Sequence, residues 1–275
     1  MQEEIINAVT HDKKDCLVLM PTGGGKSLCY QVPALLLPGI TVVISPLIAL
    51  MKDQVDALKL NGVNAAYLNS SQDSFTQDQI IRDLLRGDVK LLYIAPERLN
   101  TTSADFFAFL KQLNISLFAI DEAHCISHWG HDFRPDYLTL SKLKSELPGV
   151  PVIALTATAD ELTRRDILER LHLGNAKVFI SSFNRANIRY SVEDKVDHFN
   201  KLTEFLSARK DETGIIYCLS RANTEEYAEK LVAAGFNAEA YHAGLDSKTR
   251  MERQEKFSRY ETKIIVATIA FGMGI

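Results

Sequence analysis

Residues 16–36 read CLVLMPTGGGKSLCYQVPALL, an apolar run, a glycine-rich turn and a helical pattern in direct succession. Glycine tolerates the backbone angles that let successive N–H groups point into one concavity, and the helix that follows turns its positive end toward the same point. Such a strand–loop–helix is an anion nest, with Lys26 placed to reach terminal phosphates and the Ser27 hydroxyl placed to ligate Mg²⁺. The usual spacing GxxxxGK[ST] has a glycine where this chain has Met20, so the pattern is met in its second half and departs in its first. A flexible strand-to-helix turn is the plain alternative.

Outward from this unit the same rhythm repeats. Apolar, β-branched runs at 41–45, 65–68, 90–94, 117–121, 151–156 and 177–180 alternate with helical patterns at 27–37, 47–60, 76–86 and 160–171. This is the signature of βαβ units around a parallel sheet, and the continuous apolar runs predict strands covered on both faces. The turn-rich stretch SSFNRANIR, 181–189, breaks the rhythm and predicts a junction. A second series follows, with strands at 214–218, 238–241 and 263–267 and helices at 222–234 and 248–258. The fold class is α/β, two parallel-sheet units in tandem, the second short for its class and read as unfinished at Ile275.

Composition agrees with two globular units: 275 residues, 46% hydrophobic and 24% charged. No apolar run has the length of a membrane span and no signal peptide is evident, so a cytoplasmic location is expected. Residues 1–7 read as a helix. Cys16, Cys29, Cys125 and Cys218 are scattered without a CxxC pair, which speaks against a zinc site or disulfide framework, and Cys16 and Cys218 are expected to be buried in strand-like runs. A net charge of −4 argues mildly against a protein that coats nucleic acid nonspecifically. A locally basic groove remains open.

Several motifs fall at the carboxyl ends of predicted strands, where parallel sheets gather their ligands. Asp121-Glu122-Ala123-His124 ends the fifth run: Asp121 is placed to hold Mg²⁺, Glu122 to orient and deprotonate an attacking water, and His124 to bond across the cleft. Ser45-Pro46-Leu47, Ala95-Pro96-Glu97-Arg98 and Thr156-Ala157-Thr158 occupy equivalent ends. Each of these three also reads as an ordinary helix cap.

The ordered series TGGGKS, SPLIALMKDQV, YIAPERL, DEAHCISHWGHDFRPDY, ALTATA, IIYCLSR, YHAGL and VATIAFGMGI is similar to the motif set of superfamily-two helicases. The stretch from Asp121 through Pro135 resembles the RecQ family of ATP-dependent DNA helicases. The resemblance covers essentially the whole chain. It implies a RecA-like ATP-binding domain over 1–182 and a RecA-like C-terminal domain over 183–275, with ATP and Mg²⁺ as cofactors, hydrolysis at the domain interface and 3′-to-5′ translocation on DNA. By the same resemblance Gln2 reads the adenine edge, and Thr22, Gly23, Gly24, Gly25, Lys26 and Ser27 hold the nucleotide. Ser27 and Asp121 take the metal, and Lys26, Asp121, Glu122 and His124 are the catalytic set.

Further resemblance implies nucleic-acid contact or coupling for Ser45, Pro46, Arg98, Thr156 and Thr158, and for the aromatic-rich loop with Trp129, His131, Phe133 and Arg134. Aromatic faces stack on unpaired bases, and Arg134 suits a phosphate or a carboxylate. Trp129 and Phe133 as core aromatics are the alternative. His128 stands where the family commonly has glutamine. In the second unit Tyr217, Ser220, Arg221, His242 and Thr268 resemble backbone contacts, and Gly272 and Gly274 a flexible turn. Ordinary turns and caps are the alternative there.

The family's arginine-finger motif and its zinc-binding and winged-helix regions fall outside these residues, as does the aromatic residue upstream of Gln2. The expectation is a monomeric DNA helicase motor in repair or recombination, acting on single-stranded and tailed duplex DNA, with strand separation poor in this chain alone. A DEAH-type RNA helicase and a catalytically weak nucleic-acid-binding fragment are the rivals. A metabolic P-loop kinase fits less well, because a second βα series stands where a lid is expected.

Overall fold

A computed structural model describes residues 1–69, 72–99, 103–182, 187–269 and 271. The chain divides into two compact units, Met1–Asn187 and Ile188–Ile275. Gly272 and Gly274 lie outside the described residues.

The first unit begins with α1 (Gln2–Thr10) and β1 (Cys16–Leu19), then runs α2 (Leu28–Leu36), β2 (Ile40–Ile44), α3 (Ile48–Leu60), β3 (Ala65–Leu68), α4 (Ser74–Arg86) and β4 (Leu91–Ile94). It continues with α5 (Ser103–Leu110), β5 (Ile115–Ile120), α6 (Leu143–Glu146), β6 (Val152–Thr156), α7 (Glu161–Arg170) and β7 (Lys177–Ile180). Short 3₁₀ turns follow β4, at Pro96–Leu99, and β5, at Ala123–Ile126 and Pro135–Lys142. The seven strands are all parallel, in the order β3-β4-β2-β5-β6-β1-β7.

Two apolar layers sandwich this sheet. Alternate residues of one strand go to opposite layers: Leu17 and Leu19 pack with Phe118 and Ile167, Cys16 and Val18 with Tyr30 and Val55. Covering on both faces is why β1, β2, β4 and β6 read as unbroken apolar runs. The edge strand β7 departs from that expectation, with most of its residues exposed.

The second unit comprises α8 (His198–Ser207), β8 (Gly214–Tyr217), α9 (Arg221–Ala233), β9 (Ala238–Tyr241), α10 (Ser247–Ser258) and β10 (Ile264–Ala267). Its described sheet is parallel and ordered β8-β10-β9. Cys218, expected to be buried, is half-buried because it lies one residue past the end of β8. Among the described residues no helix is long and apolar enough to cross a membrane.

Candidate active site

The glycine loop joins β1 to α2 with φ of +78° at Gly23 and +79° at Gly25, angles that side-chain-bearing residues rarely adopt. Gly24 is required for a different reason: a Cβ there would sit 2.9 Å from the Pro21 carbonyl oxygen, whose bond from the Gly24 amide closes the turn. Lys26 Nζ donates to the Met20 carbonyl at 3.2 Å, which folds the lysine over its own loop. Gln2, the first residue of α1, donates from Nε2 to the carbonyls of Gly24 at 3.1 Å and Gly25 at 3.4 Å. Its amide is thus placed against the loop.

A cavity of about 320 Å³ opens beside this loop, lined by Thr22, Lys26, Ser27, Ser45, Asp121 and Glu122, with Tyr30, Gln54 and Tyr93 among the residues of its inner wall. Asp121 follows β5, and its amide still bonds to the Ile44 carbonyl of the neighbouring strand. Burial and the adjacent Glu122 charge push its carboxyl up to about 6, against the partial relief of the Glu122 amide, Lys26 and His124. Glu122 is left-handed, with φ +47° and ψ +45°, and its amide caps Asp121 Oδ1 at 3.0 Å. A side-chain residue in that conformation is strained, and such strain concentrates at functional sites. Burial acts to raise Glu122, but the bond and charge of His124, with Lys26 and His131, hold it below the ordinary glutamate value. Two adjacent carboxyls are thereby pushed apart, one toward the acid form and one toward the base form.

His124 is buried at the centre of a relay. Its Nδ1 lies 2.8 Å from the Thr156 hydroxyl and 3.3 Å from Glu122 Oε2. Its ring stacks on His131 with centroids 4.2 Å apart, and His131 Nδ1 lies 3.4 Å from the Thr158 hydroxyl. Thr156 ties this back to the end of β6 by donating to the Thr158 carbonyl at 3.1 Å. The carboxylates, the two threonines and the following loop are thus one contiguous polar cluster.

Within that loop Trp129 is 70% exposed, which removes the core-aromatic reading for it. Phe133 is half-buried under the His128 ring at 3.8 Å. Arg134 meets a carboxylate: Nε and Nη2 bond to Asp132 Oδ2 at 3.1 and 2.9 Å, and Nη1 donates to the Pro46 carbonyl at 3.2 Å. His124, Cys125 and Asp132 bring their ligand atoms within 4.8 Å of one another. They are held by internal bonds, and burial keeps the Cys125 thiol protonated, pushed up to about 12.

Among the other expected contacts, Ser45 is buried and lines the cavity. Arg98 lies over the Phe106 ring, 5.8 Å from its centroid. In the second unit His242 is buried, with Nε2 3.0 Å from Glu225 and Nδ1 accepting the Gly244 amide, so both ring nitrogens are engaged. Ser220 caps α9 by accepting the Asn223 amide, the cap alternative. Tyr217 is 58% exposed with its hydroxyl donating to the Phe271 carbonyl; Arg221 is exposed at the start of α9, and the Thr268 amide extends the sheet to Tyr241.

Four residues were not singled out from the sequence. Gln31 Nε2 bonds to Gln54 Oε1 at 2.9 Å and reaches the Tyr93 hydroxyl at 3.4 Å, while the Tyr30 and Tyr93 rings meet edge-on. Burial raises both tyrosine hydroxyls. The available signal is Gln54, a polar residue interrupting the buried stripe of Met51, Val55 and Leu58 on α3.

The donor set fits a cation-bound polyphosphate: a glycine cradle and a lysine for the anion, and only oxygen donors, Ser27 and Asp121, for a hard cation. Comparison with known proteins agrees with that chemistry. Residues 1–166 match the DEAD/DEAH box helicase family, and residues 197–275 match the helicase conserved C-terminal domain. The chain therefore belongs to the DEAD/DEAH box helicases.

Along its whole length it is 54% identical to the ATP-dependent DNA helicase RecQ of Pasteurella multocida and 45% identical to that of Bacillus subtilis, covering 43% and 46% of them. The chain is thus similar to RecQ helicases along its whole length. It spans less than half the length of those relatives. The DNA-bound helicase MrfA shares the fold at a TM-score of 0.76 and 17% identity, over 100% of this chain and 40% of that one. Saccharomyces cerevisiae Dbp5 does so at 0.74 and 17%, over 100% and 69%. Both units are RecA-like.

Proposed function

We propose that this chain is the motor portion of an ATP-dependent DNA helicase that moves 3′ to 5′ along single-stranded DNA, in repair or recombination in the cytoplasm. Residues 1–182 form its ATP-binding domain and 183–275 its C-terminal motor domain. One observation carries the reading: Asp121 and Glu122 share a cavity with Lys26 and Ser27, and connect through His124 and His131 to a loop presenting an exposed Trp129.

Bound ATP and Mg²⁺ supply the phosphoanhydride and the charge neutralisation that its cleavage by water requires. Lys26 and the loop amides bind the phosphates, Ser27 and Asp121 hold the cation, and Glu122 takes the proton of the attacking water. His124 fixes the Glu122 carboxylate and passes its position to His131 and Thr158. Trp129 offers an aromatic face to an unpaired base, and the Arg134–Asp132 pair holds that loop in shape. The two RecQ relatives named above are DNA helicases, which favours DNA over the RNA alternative.

Calorimetry with Mg-ATP, then with single-stranded DNA or RNA, tests this. Lys26→Ala should abolish nucleotide binding, and Trp129→Ala should weaken DNA binding by about 5- to 150-fold, the range of one lost stacking contact. Equal ATP affinity in wild type and Lys26→Ala, or a preference for RNA, overturns the assignment.

A further inference from the structure

Ser45 is the residue after β2, and its backbone still belongs to the sheet, with its amide bonding to the Ile94 carbonyl at 3.1 Å. The residue lines the cavity that also holds Lys26, Ser27, Asp121 and Glu122. The residue is 3% exposed, and its hydroxyl oxygen is buried with no hydrogen-bond partner among the described residues. Buried hydroxyls are nearly always paired, because an unpaired one has given up water and received nothing. An orphan in the wall of a ligand cavity marks a place where the ligand can complete the bond.

The sheet order says which part of the ligand that is. β2 lies beside β5, whereas β5 and β6 both stand between β2 and β1. At a strand spacing of about 4.8 Å, Ser45 is one strand from Asp121 and three strands, roughly 14 Å, from the strand that feeds the phosphate loop. The group it meets is therefore the one that sits on Asp121. Magnesium keeps several of its waters when bound by one or two protein oxygens, so what a hydroxyl beside such a carboxylate meets is a cation-bound water.

We propose that Ser45 is a positioning residue of the nucleotide site, its hydroxyl bonding to the hydration shell of the cation carried by the triphosphate. This rests on the nucleotide-binding reading above and gives the end of β2 a nucleotide-side role in place of a nucleic-acid contact.

The test uses the 275-residue chain and a non-hydrolysable ATP analogue, titrated by calorimetry with Mg²⁺ and again with EDTA. Ser45→Ala should weaken binding about fivefold with Mg²⁺, the scale of one hydrogen bond, and change it by less than about twofold without. The melting temperature of the nucleotide-free variant should not fall, because the substitution removes an unpaired polar atom. Equal weakening with and without Mg²⁺, no weakening at all, or a lower melting temperature without nucleotide overturns the proposal. Loss of binding in Lys26→Ala but none in Ser45→Ala overturns it while leaving the nucleotide site standing. Absence of binding by the wild type overturns both.

Discussion

Strands β1, β2, β4 and β6 of the first unit are buried at every residue, whereas β8 of the second alternates between half-buried and exposed. Helix α8 has no fully buried residue, while α2 buries Cys29, Tyr30, Pro33 and Ala34. The polar residues at strand ends differ in the same direction. Around the first sheet they converge on one cavity, with Asp121 raised by burial and Ser45 unpaired. In the second, Ser220 and His242 are satisfied by their own neighbours. At their strand ends the two units thus use polar groups differently: in the first they converge on a cavity, and in the second Ser220 and His242 are bound by their own neighbours.

The largest expected effect tests that asymmetry of packing. Leu17→Ala removes a fully buried side chain from β1 and should destabilise the first unit by about 2–5 kcal/mol. Leu219→Ala, at a residue 104% exposed, should change stability by less than about 0.5 kcal/mol. Chemical denaturation of both variants checks the pair; comparable losses would mean the second unit is as tightly packed as the first.

A smaller effect comes from the carboxyl at the centre of the site. Asp121 is raised from 3.8 to about 6 in the folded state, so folding binds a proton between those values and stability falls as pH rises through them. Asp121→Asn removes that ionisation. The nucleotide-free variant should be more stable than wild type at pH 7, on the order of 3 kcal/mol, and no more stable below about pH 4. Thermal unfolding at the two pH values decides; an advantage that does not shrink on acidification would locate the effect in packing.

The smallest concerns the second unit's polar groups. Ser220→Ala should cost about 1 kcal/mol through loss of the α9 cap. Single-stranded DNA affinity should be unchanged when measured well below the unfolding transition. A drop in affinity at unchanged stability would return Ser220 to the nucleic-acid surface.

The strands of both sheets are legible in the sequence to within about two residues: burial on both faces writes β1, β2, β4 and β6 as short apolar runs, and the more exposed β7 and β8 still carry β-branched and aromatic residues. Helix α5, SADFFAFL, is not, since it is short and lacks a polar face, and α8 follows the turn-rich junction that hides its start. Within the site, the glycine loop and Asp121–His124 are visible as local strings. The direction of the Ser45 side chain is not, because it depends on which face of β2 each residue takes at the strand's last position. Nor is the engagement of His242, which depends on Glu225 one turn into a different element. Pairings across separate helices, as between Gln31 and Gln54, leave only a misplaced polar residue as their trace.

The exposure of Trp129 has a practical side. It is the single tryptophan of the chain. Selectively excited indole emission therefore arises from the loop after Asp121–His124 and from nowhere else, and its solvated ring sets the colour of that light. A base stacked on the ring would quench it. The protein carries its own lamp at the point where the proposed motor would touch its track.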